Sequence, residues 1–396
     1  MDLLALMRRA PGAEPALEAL AGEPAVHVVG GAVRDALLGR VPRELDFVVE
    51  GDAAAVARRA AERLGGRAVV HERFGTASVR SDGAVFDVAS ARGETYPRPG
   101  ALPEVRAGAS LREDLARRDF TANAIALHVV DGALIEWAGA REDVDAGRLR
   151  VLHDGSFLDD PTRLLRLARY AARLGFAPEP GTAALAAAAV AGGAVATVTG
   201  SRLGSELQLL LREPQPAALL ALERHGIGTA AVHPGFAVDP GTVEAVLALC
   251  PADAQADLAA LAACLPETED LRPRLDRMEF TAQEQAVVLA ATAAPRLAAT
   301  LRRAEDDVHL WRLLRRERPE TVALAGALGA EAPARRWLGD VRHRRLAITG
   351  DDIVAAGVTG PAVGAALDAA QEAMLAGEAP GREQQLAAAL AAVGPS

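Results

Sequence analysis

The chain contains no lysine. All 43 of its basic residues are arginine, so every charged contact to a phosphate must come from a guanidinium and its planar fork of donors. Aromatic residues make up only 3% of the 396 residues, which excludes a broad stacking platform for single-stranded RNA. Two cysteines, Cys250 and Cys264, give neither a disulfide framework nor a zinc pattern; a reducing cytoplasm is the expected compartment. The most apolar run, 183–198, is alanine-rich, interrupted by Gly192-Gly193, and shorter than the ~20 residues of a membrane span. It reads as buried helix and turn. The acid at Asp2 and the short apolar stretch behind it argue against a secretory signal. A net charge of −10 argues against a surface coated for nucleic acid, and confines any such binding to a local groove. Arginine clusters at 112–118, 302–318 and 335–345 are the candidates, although each alone reads first as a solvated helix face.

Two styles of sequence follow one another. Between about 25 and 151, β-type runs occupy 27–29, 45–49, 67–70, 77–80, 85–89, 125–130 and 134–136. A helical pattern fills 52–64, and Asp131-Gly132 between two apolar runs signals a hairpin. From Asp160 onward the pattern is helical. Leu164, Leu165, Leu167, Ala168 and Ala171 form one stripe of 3.6 period, and Leu203, Leu207, Leu210 and Leu211 another. Pro-containing breakers at 178–180, 214–216 and 234–235 separate helices. Thr349 or Asp351 is a candidate cap for a last helical segment. The expected class is therefore α+β, a mixed-sheet head followed by an all-helical remainder.

The chemistry concentrates near the start. Val28-Val29-Gly30-Gly31 runs from a strand into a glycine turn, followed by a short helix opening at Arg34-Asp35. Glu44-Leu45-Asp46 comes next, and period-two alternation places Glu44 and Asp46 on one strand face. A third acid, Asp87, sits between Phe86 and Val88 on another expected strand. Paired carboxylates beside a backbone loop suited to phosphate are what Mg²⁺-dependent phosphoryl transfer needs, and three carboxylates on adjacent strands can hold two Mg²⁺ ions. The bland alternative for each acid is a salt bridge or a turn cap.

These residues resemble the DNA polymerase beta superfamily of nucleotidyltransferases. Further motifs narrow the resemblance to class II tRNA nucleotidyltransferases, the CCA-adding enzymes, and to bacterial poly(A) polymerases. Arg117-Arg118-Asp119-Phe120-Thr121-Ala122-Asn123-Ala124 is similar to their RRDFTxNA signature. Asp159-Asp160-Pro161-Thr162-Arg163 is similar to EDxxR, and Ser201-Arg202-Leu203-Gly204-Ser205-Glu206 to ERxxxE. The segment 91–103 resembles a loop that helps switch from C to A addition, and 346–352 resembles the family's entry to the tail. Glu44 and Asp159 each exchange one acid for the other relative to the family pattern, and Ser201 replaces its usual Glu.

The resemblance implies a domain order: an N-terminal helical segment over 1–24, a catalytic head over 25–150, a nucleotide-binding neck over 151–215, a body over 216–345 and a tail over 346–396. It implies that Glu44 and Asp46 ligate Mg²⁺ with Asp87 as a third acid, that Gly30 and Gly31 admit the triphosphate, and that Arg34 binds its charge. Arg118 and Asp119 would contact the nucleotide, Asp119 at the ribose hydroxyl. Asp160 and Arg163, with Arg166 beyond them, would read the base. Cytosine and adenine both present an amine beside an acceptor, and an Asp–Arg pair on one helix face complements that order. Arg202 and Glu206 are expected to brace their own helix as an i,i+4 pair. The implied reaction is template-independent addition of CCA, CC or A to a tRNA 3′ end from CTP and ATP. The tRNA would be held by its acceptor and T arms, with no membrane involved. The shared motifs leave a poly(A) polymerase or a catalytically weak RNA-binding relative as alternatives; the alanine-rich, non-basic stretch toward Pro395-Ser396 favours the tRNA enzyme over the former. His153-Asp154 lacks the further histidines of a metal phosphohydrolase and reads as part of the entry to the helical region.

Overall fold

The computed structural model describes residues 2–71 and 75–393, so Pro395-Ser396 lies outside the described residues. The strands of the head, in chain order, are β1 (Val26–Val29), β2 (Asp46–Val49), β3 (Arg67–His71), β4 (Thr76–Arg80), β5 (Val85–Ser90), β6 (Arg92–Thr95), β7 (Glu104–Ala107), β8 (Ile125–His128) and β9 (Leu134–Glu136). Seven of them form one sheet in the order β3-β4-β5-β2-β1-β8-β9, and β6 pairs with β7 as a separate ribbon. The seven are the seven β-type runs of the sequence. The β6–β7 ribbon is not among those runs: Arg92-Gly93-Glu94-Thr95 has no apolar alternation, and all of β7 is exposed. Gly132 takes φ +70° in the β8–β9 hairpin, which is why Asp-Gly stands there.

Each face of the sheet is covered differently. The helix Ala53–Arg63 starts on Asp52, whose carboxylate accepts from Ala54 N and Ala55 N. Its buried stripe, Val56, Ala57, Ala60 and Ala61, packs on β3–β5. Phe47 and Phe86 meet edge to face on the same side, with ring centroids 5.5 Å apart. Removing a buried ring of this kind costs about 3–5 kcal/mol. The opposite face packs Val29, Val48, Ala124 and Ala126 beneath Leu111 and Leu115 of the helix Leu111–Ala116. That helix opens with a capping box between Ser110 and Glu113.

Three details of the sequence reading are corrected. The ladder of β2 begins at Asp46, opposite Asp87, so Glu44 precedes the strand. Its neighbour β1 has by then turned at Gly30 into the helix Gly31–Leu37, so Glu44 has no β1 residue to pair with. That helix also opens three residues earlier than Arg34. The run 183–198 is not a buried helix. The helix Pro180–Ala191 buries only Thr182, Ala186 and Ala189, because alanine is small enough to sit on either face of a surface helix.

The chain divides into two units, one of Met1–Glu213 with Arg224–Ala231 and one of Pro214–Glu223 with Val232–Ser396. In the first unit the helix Thr162–Leu174 buries Leu164, Leu165, Leu167 and Ala168 completely, and it packs on the helix Gly200–Leu211. The second unit is helical and closes with its own core around Ile353, Ala366, Ala370 and Ala389. There Thr349 caps the helix Gly350–Ala355 through a capping box with Asp352. Among the described residues no helix is long and apolar enough to cross a membrane.

Candidate active site

The edge of the sheet where β1 and β2 meet opens into a cleft of about 410 Å³. Gly30 turns the chain there with φ +71°. A Cβ at that position would stand 2.8 Å from Nη1 of Arg118, so glycine is what lets the backbone and this guanidinium share the wall. Asp46 and Asp87 are register partners on parallel strands, so both carboxylates project from one face of the sheet. Asp46 is accessible to solvent at the mouth of the cleft, yet protein crowds it on several sides. Burial pushes its carboxyl above the ordinary range, the charge of Glu44 adds to this, the Arg118 guanidinium opposes it, and Asp87 raises it further. Glu44 therefore stays electrostatically coupled to Asp46 from outside the strand.

Six arginines and four carboxylates line the cleft, within a chain whose net charge is −10. Asp114, completely buried beneath it, accepts from Arg117 and from Nη2 of Arg118 at 3.0 Å. Burial works against its charge, and Arg118 and Arg117 hold it below the usual carboxylate range. Nε of Arg118 is buried without a hydrogen-bond partner. An orphaned guanidinium donor in a cleft wall is an invitation to an anion.

The other end of the cleft comes from the helical segment that follows the head. Asp160 and Arg163 both line the cleft, but they do not pair. Asp160 lies ahead of the helix in an extended conformation, φ −133° and ψ 91°, rather than on its face. Thr162 N, Thr162 Oγ1 and Arg202 Nη2 donate to its Oδ1 at 3.1, 2.7 and 2.7 Å. Oδ2 has no partner among the described residues. Arg163 spends two of its N–H groups on Ser156 Oγ and Arg117 O, at 2.6 and 2.8 Å, and its guanidinium lies 6.0 Å from the centroid of the Tyr96 ring. The expected Arg202–Glu206 brace is not formed. Arg202 reaches Asp160 and the Gly100 carbonyl, and Glu206 pairs with Arg169 at 3.1 Å.

The other expected residues are placed as follows. Gly31 lines the cleft beside Gly30. Arg34 does not line it. Its buried guanidinium donates to Asn123 Oδ1 at 2.5 Å and to Asp35, beside the ring of Tyr170. Asp119 reaches the wall already accepting three hydrogen bonds, from Phe120 N, Asn123 Nδ2 and Arg166 Nε, with Arg166 Nη2 ion-paired at 2.6 Å. Burial opposes its charge, and Arg166 first among its partners keeps its carboxyl low. Three hydrogen bonds and the ion pair occupy most of the acceptor sites of a carboxylate, which leaves Asp119 little capacity for a ribose hydroxyl and makes it a hub that orients Arg166. His153 lies in an adjoining cavity with Asp159 and Arg106.

Sequence reasoning missed Arg117, Asp114, Tyr96 and Tyr170 as parts of the site. The two tyrosines are the only ones in the chain, and both line this cleft. Their scarcity in a protein poor in aromatics was the available signal.

Mg²⁺ fits the donor chemistry in one limited respect. Hard carboxylate oxygens are present, and the like-charge crowding at Asp46 is what a cation would relieve. Among the described residues no three His, Cys, Asp or Glu side chains gather at ligating distance. Mg²⁺ commonly takes one or two carboxylates and completes its shell with water and substrate phosphates, and the facing pair Asp46 and Asp87 meets that requirement.

The model of the poly A polymerase head domain matches residues 26–150. An A-adding tRNA nucleotidyltransferase of Geobacter sulfurreducens is 35% identical over 91% of this chain and 44% of its own length. A CC-adding tRNA nucleotidyltransferase of Deinococcus radiodurans is 41% identical over 58% of this chain and 64% of its own. The chain thus spans less than two thirds of these curated relatives. Among solved structures, a CCA-adding enzyme in an apo form superposes with a TM-score of 0.86 at 29% identity, covering 99% of both chains. With its seven-stranded head, its Gly-Gly turn facing an acidic pair and its helical remainder, the chain belongs to the family of class II tRNA nucleotidyltransferases and poly(A) polymerases.

Proposed function

We propose that this protein is a template-independent nucleotidyltransferase that adds CCA, or its CC or A part, to the 3′ end of tRNA in the cytoplasm. The 3′ hydroxyl of the RNA attacks the α-phosphorus of CTP or ATP. A new phosphodiester forms, the bond to the β-phosphate oxygen breaks, pyrophosphate leaves, and the hydroxyl proton is released to solvent. The observation that carries this reading is the placement of Asp46, beside its register partner Asp87, in one cleft with an orphaned arginine donor and a half-free Asp160.

Asp46 and Asp87 would hold Mg²⁺, with Glu44 at the margin of the site. When bound, the ion neutralises triphosphate charge and lowers the pKa of the attacking hydroxyl. The chain's own residues do the positioning. Gly30 and Gly31 keep side chains away from the phosphates. Arg118 offers Nε to a phosphate oxygen while Asp114 fixes its other edge. At the base, Oδ2 of Asp160 accepts from an exocyclic amine and Arg163 donates to the neighbouring ring nitrogen, an order that cytosine and adenine satisfy. Uracil and guanine present a carbonyl where the amine should be, leaving a buried acceptor facing an acceptor.

The test uses purified protein, Mg²⁺ and three tRNA transcripts that end before CCA, after C and after CC. Each is incubated with CTP, ATP or both, and products are resolved to one nucleotide. Extension to a CCA end, to CC only, or from CC by one A supports the reading and assigns the subclass. Long A tails would replace it with poly(A) synthesis, and no extension would replace it with an RNA-binding role.

A further inference from the structure

The sheet face that carries Asp46 and Asp87 continues, uncovered, across β5, β4 and β3. Alternation shows it directly. Ala77, Val79, Phe86 and Val88 are buried under the helix Ala53–Arg63, whereas Arg67, Val69, Arg80, Val85 and Asp87 on the other face are exposed. Val69, Ser78, Asp87 and Asp46 stand in one cross-strand row. Two residues along from that row, Arg67 and Arg80 are register partners. Neither guanidinium has a hydrogen bond or an ion pair among the described residues. Like charges directly opposite on a sheet are destabilising, and this chain has carboxylates to spare, with 53 acidic residues against 43 basic. Two unneutralised arginines side by side on an otherwise unpartnered face call for an anion between them.

The charge and the continuity with the carboxylates together identify its source. Strand spacing of ~4.8 Å and a two-residue step of ~6.8 Å put Arg80 about 8 Å from Asp87 across the same face. We propose that this face is the path of the RNA strand that ends at the attacking hydroxyl, with Arg67 and Arg80 gripping its phosphates just upstream of the 3′ terminus. The exposed Val85, flush with Arg80, gives the sugar edge an apolar surface. This rests on the proposed tRNA end reaction, and it adds which part of the head holds the acceptor strand.

The experiment compares the wild-type chain with Arg67→Ala/Arg80→Ala and Arg67→Lys/Arg80→Lys. Binding to a tRNA transcript lacking CCA is measured from 0.1 to 1 M salt, and KM is measured separately for tRNA and for nucleotide. Two phosphate contacts to a single strand are worth about 1.4 in the slope of log K against log salt. The alanine pair is expected to lose about 25-fold in tRNA affinity at 0.1 M salt, to converge on the wild type near 1 M, and to raise KM for tRNA but not for nucleotide. The lysine pair keeps the slope, since a point charge still meets a phosphate, which a merely structural role for the arginines would not produce. If the wild type extends tRNA and the alanine pair keeps its affinity and slope, the RNA does not run along this face. If the wild type extends nothing but the alanine pair still loses affinity and slope, the transferase reading falls and the RNA face stands.

Discussion

Asp160→Asn is the sharpest probe of base selection. In the structure, three donors converge on Oδ1, two from Thr162 and one from Arg202. An asparagine must therefore place its oxygen at that position, because its NH₂ would otherwise face three donors. The amide nitrogen then occupies the place of Oδ2 and points at the base as a donor. One acceptor becomes one donor at fixed geometry. A hydrogen bond from a base amine to a charged acceptor is worth about 1.5–3 kcal/mol, which converts to about 10- to 150-fold in kcat/KM for CTP and ATP. The same NH₂ complements the carbonyl of uracil and guanine, so UTP and GTP gain relative to CTP and ATP. Asp160→Ala is a poorer test, since it also releases Arg202 and Thr162. Single-nucleotide incorporation on a tRNA ending before CCA, run with each of the four triphosphates, reads the ratio directly. An Asp160→Asn protein that adds C and A over U and G as faithfully as the wild type would show that Asp160 does not face the base.

Asp46→Asn is expected to lower turnover by more than about 100-fold while nucleotide affinity measured without Mg²⁺ and thermal stability change little; retained turnover would remove Asp46 from the metal site. Burial, then Glu44, raises the Asp46 carboxyl, so Mg²⁺ activation is lost as pH falls through that raised value, and Glu44→Gln should move the acid limb of the kcat/KM profile to lower pH. A profile that does not move would show that Glu44 is too distant to couple. His27 is buried in β1 with its ring 5.1 Å from His128. Burial first, then the charge of His128, depresses it below 6.5. Below that pH the unfolded chain takes up a proton the folded chain resists, so stability falls with acidification by up to about 1.4 kcal/mol per pH unit. Urea midpoints of His27→Leu between pH 5 and 7 should be flatter than those of the wild type, and parallel slopes would refute this. Gly100 takes φ +69°, and a Cβ there would stand 2.1 Å from Oγ1 of Thr197. Gly100→Ala should unfasten the 96–103 segment from Leu158 and Arg202 and raise KM for nucleotide, and an unchanged KM would show that the segment does not support the site.

The sheet was legible because its strands are short apolar runs bounded by turn residues, and period two decides which side chains share a face. That rule put Asp87 and Asp46 on strands that do lie side by side. It failed two residues outside the ladder. Alternation continues on paper through Leu45 to Glu44, whereas hydrogen-bonded pairing stops where β1 ends at Gly30. The β6–β7 ribbon was invisible for the opposite reason. Its strands are largely polar, β7 exposed and β6 half-buried, held by ion pairs such as Arg117 with Glu94, and no apolar alternation marks them.

Charged partners were the least legible part, and Arg202 shows why. Four residues along its helix stands Glu206, and local spacing favours that pair by only about 0.2–0.5 kcal/mol at an exposed site. Tertiary structure offers each residue a better bargain. Arg202 meets Asp160 at 2.7 Å in the half-buried wall of the cleft, and Glu206 meets the buried Arg169. A guanidinium or carboxylate taken out of water must find a partner that is also out of water, or its desolvation goes unrepaid. Burial, which the sequence does not display, thus decides between two equally plausible spacings. The same reasoning explains Arg34 and Asp119. Each is a charge placed where the family motif puts it, and each is consumed by buried neighbours, Asn123 holding both. The charges left unsatisfied are then the informative ones: Nε of Arg118, Oδ2 of Asp160, and the Arg67–Arg80 pair. All lie on surfaces that converge on Asp46, where a triphosphate, a base and an RNA strand would have to meet.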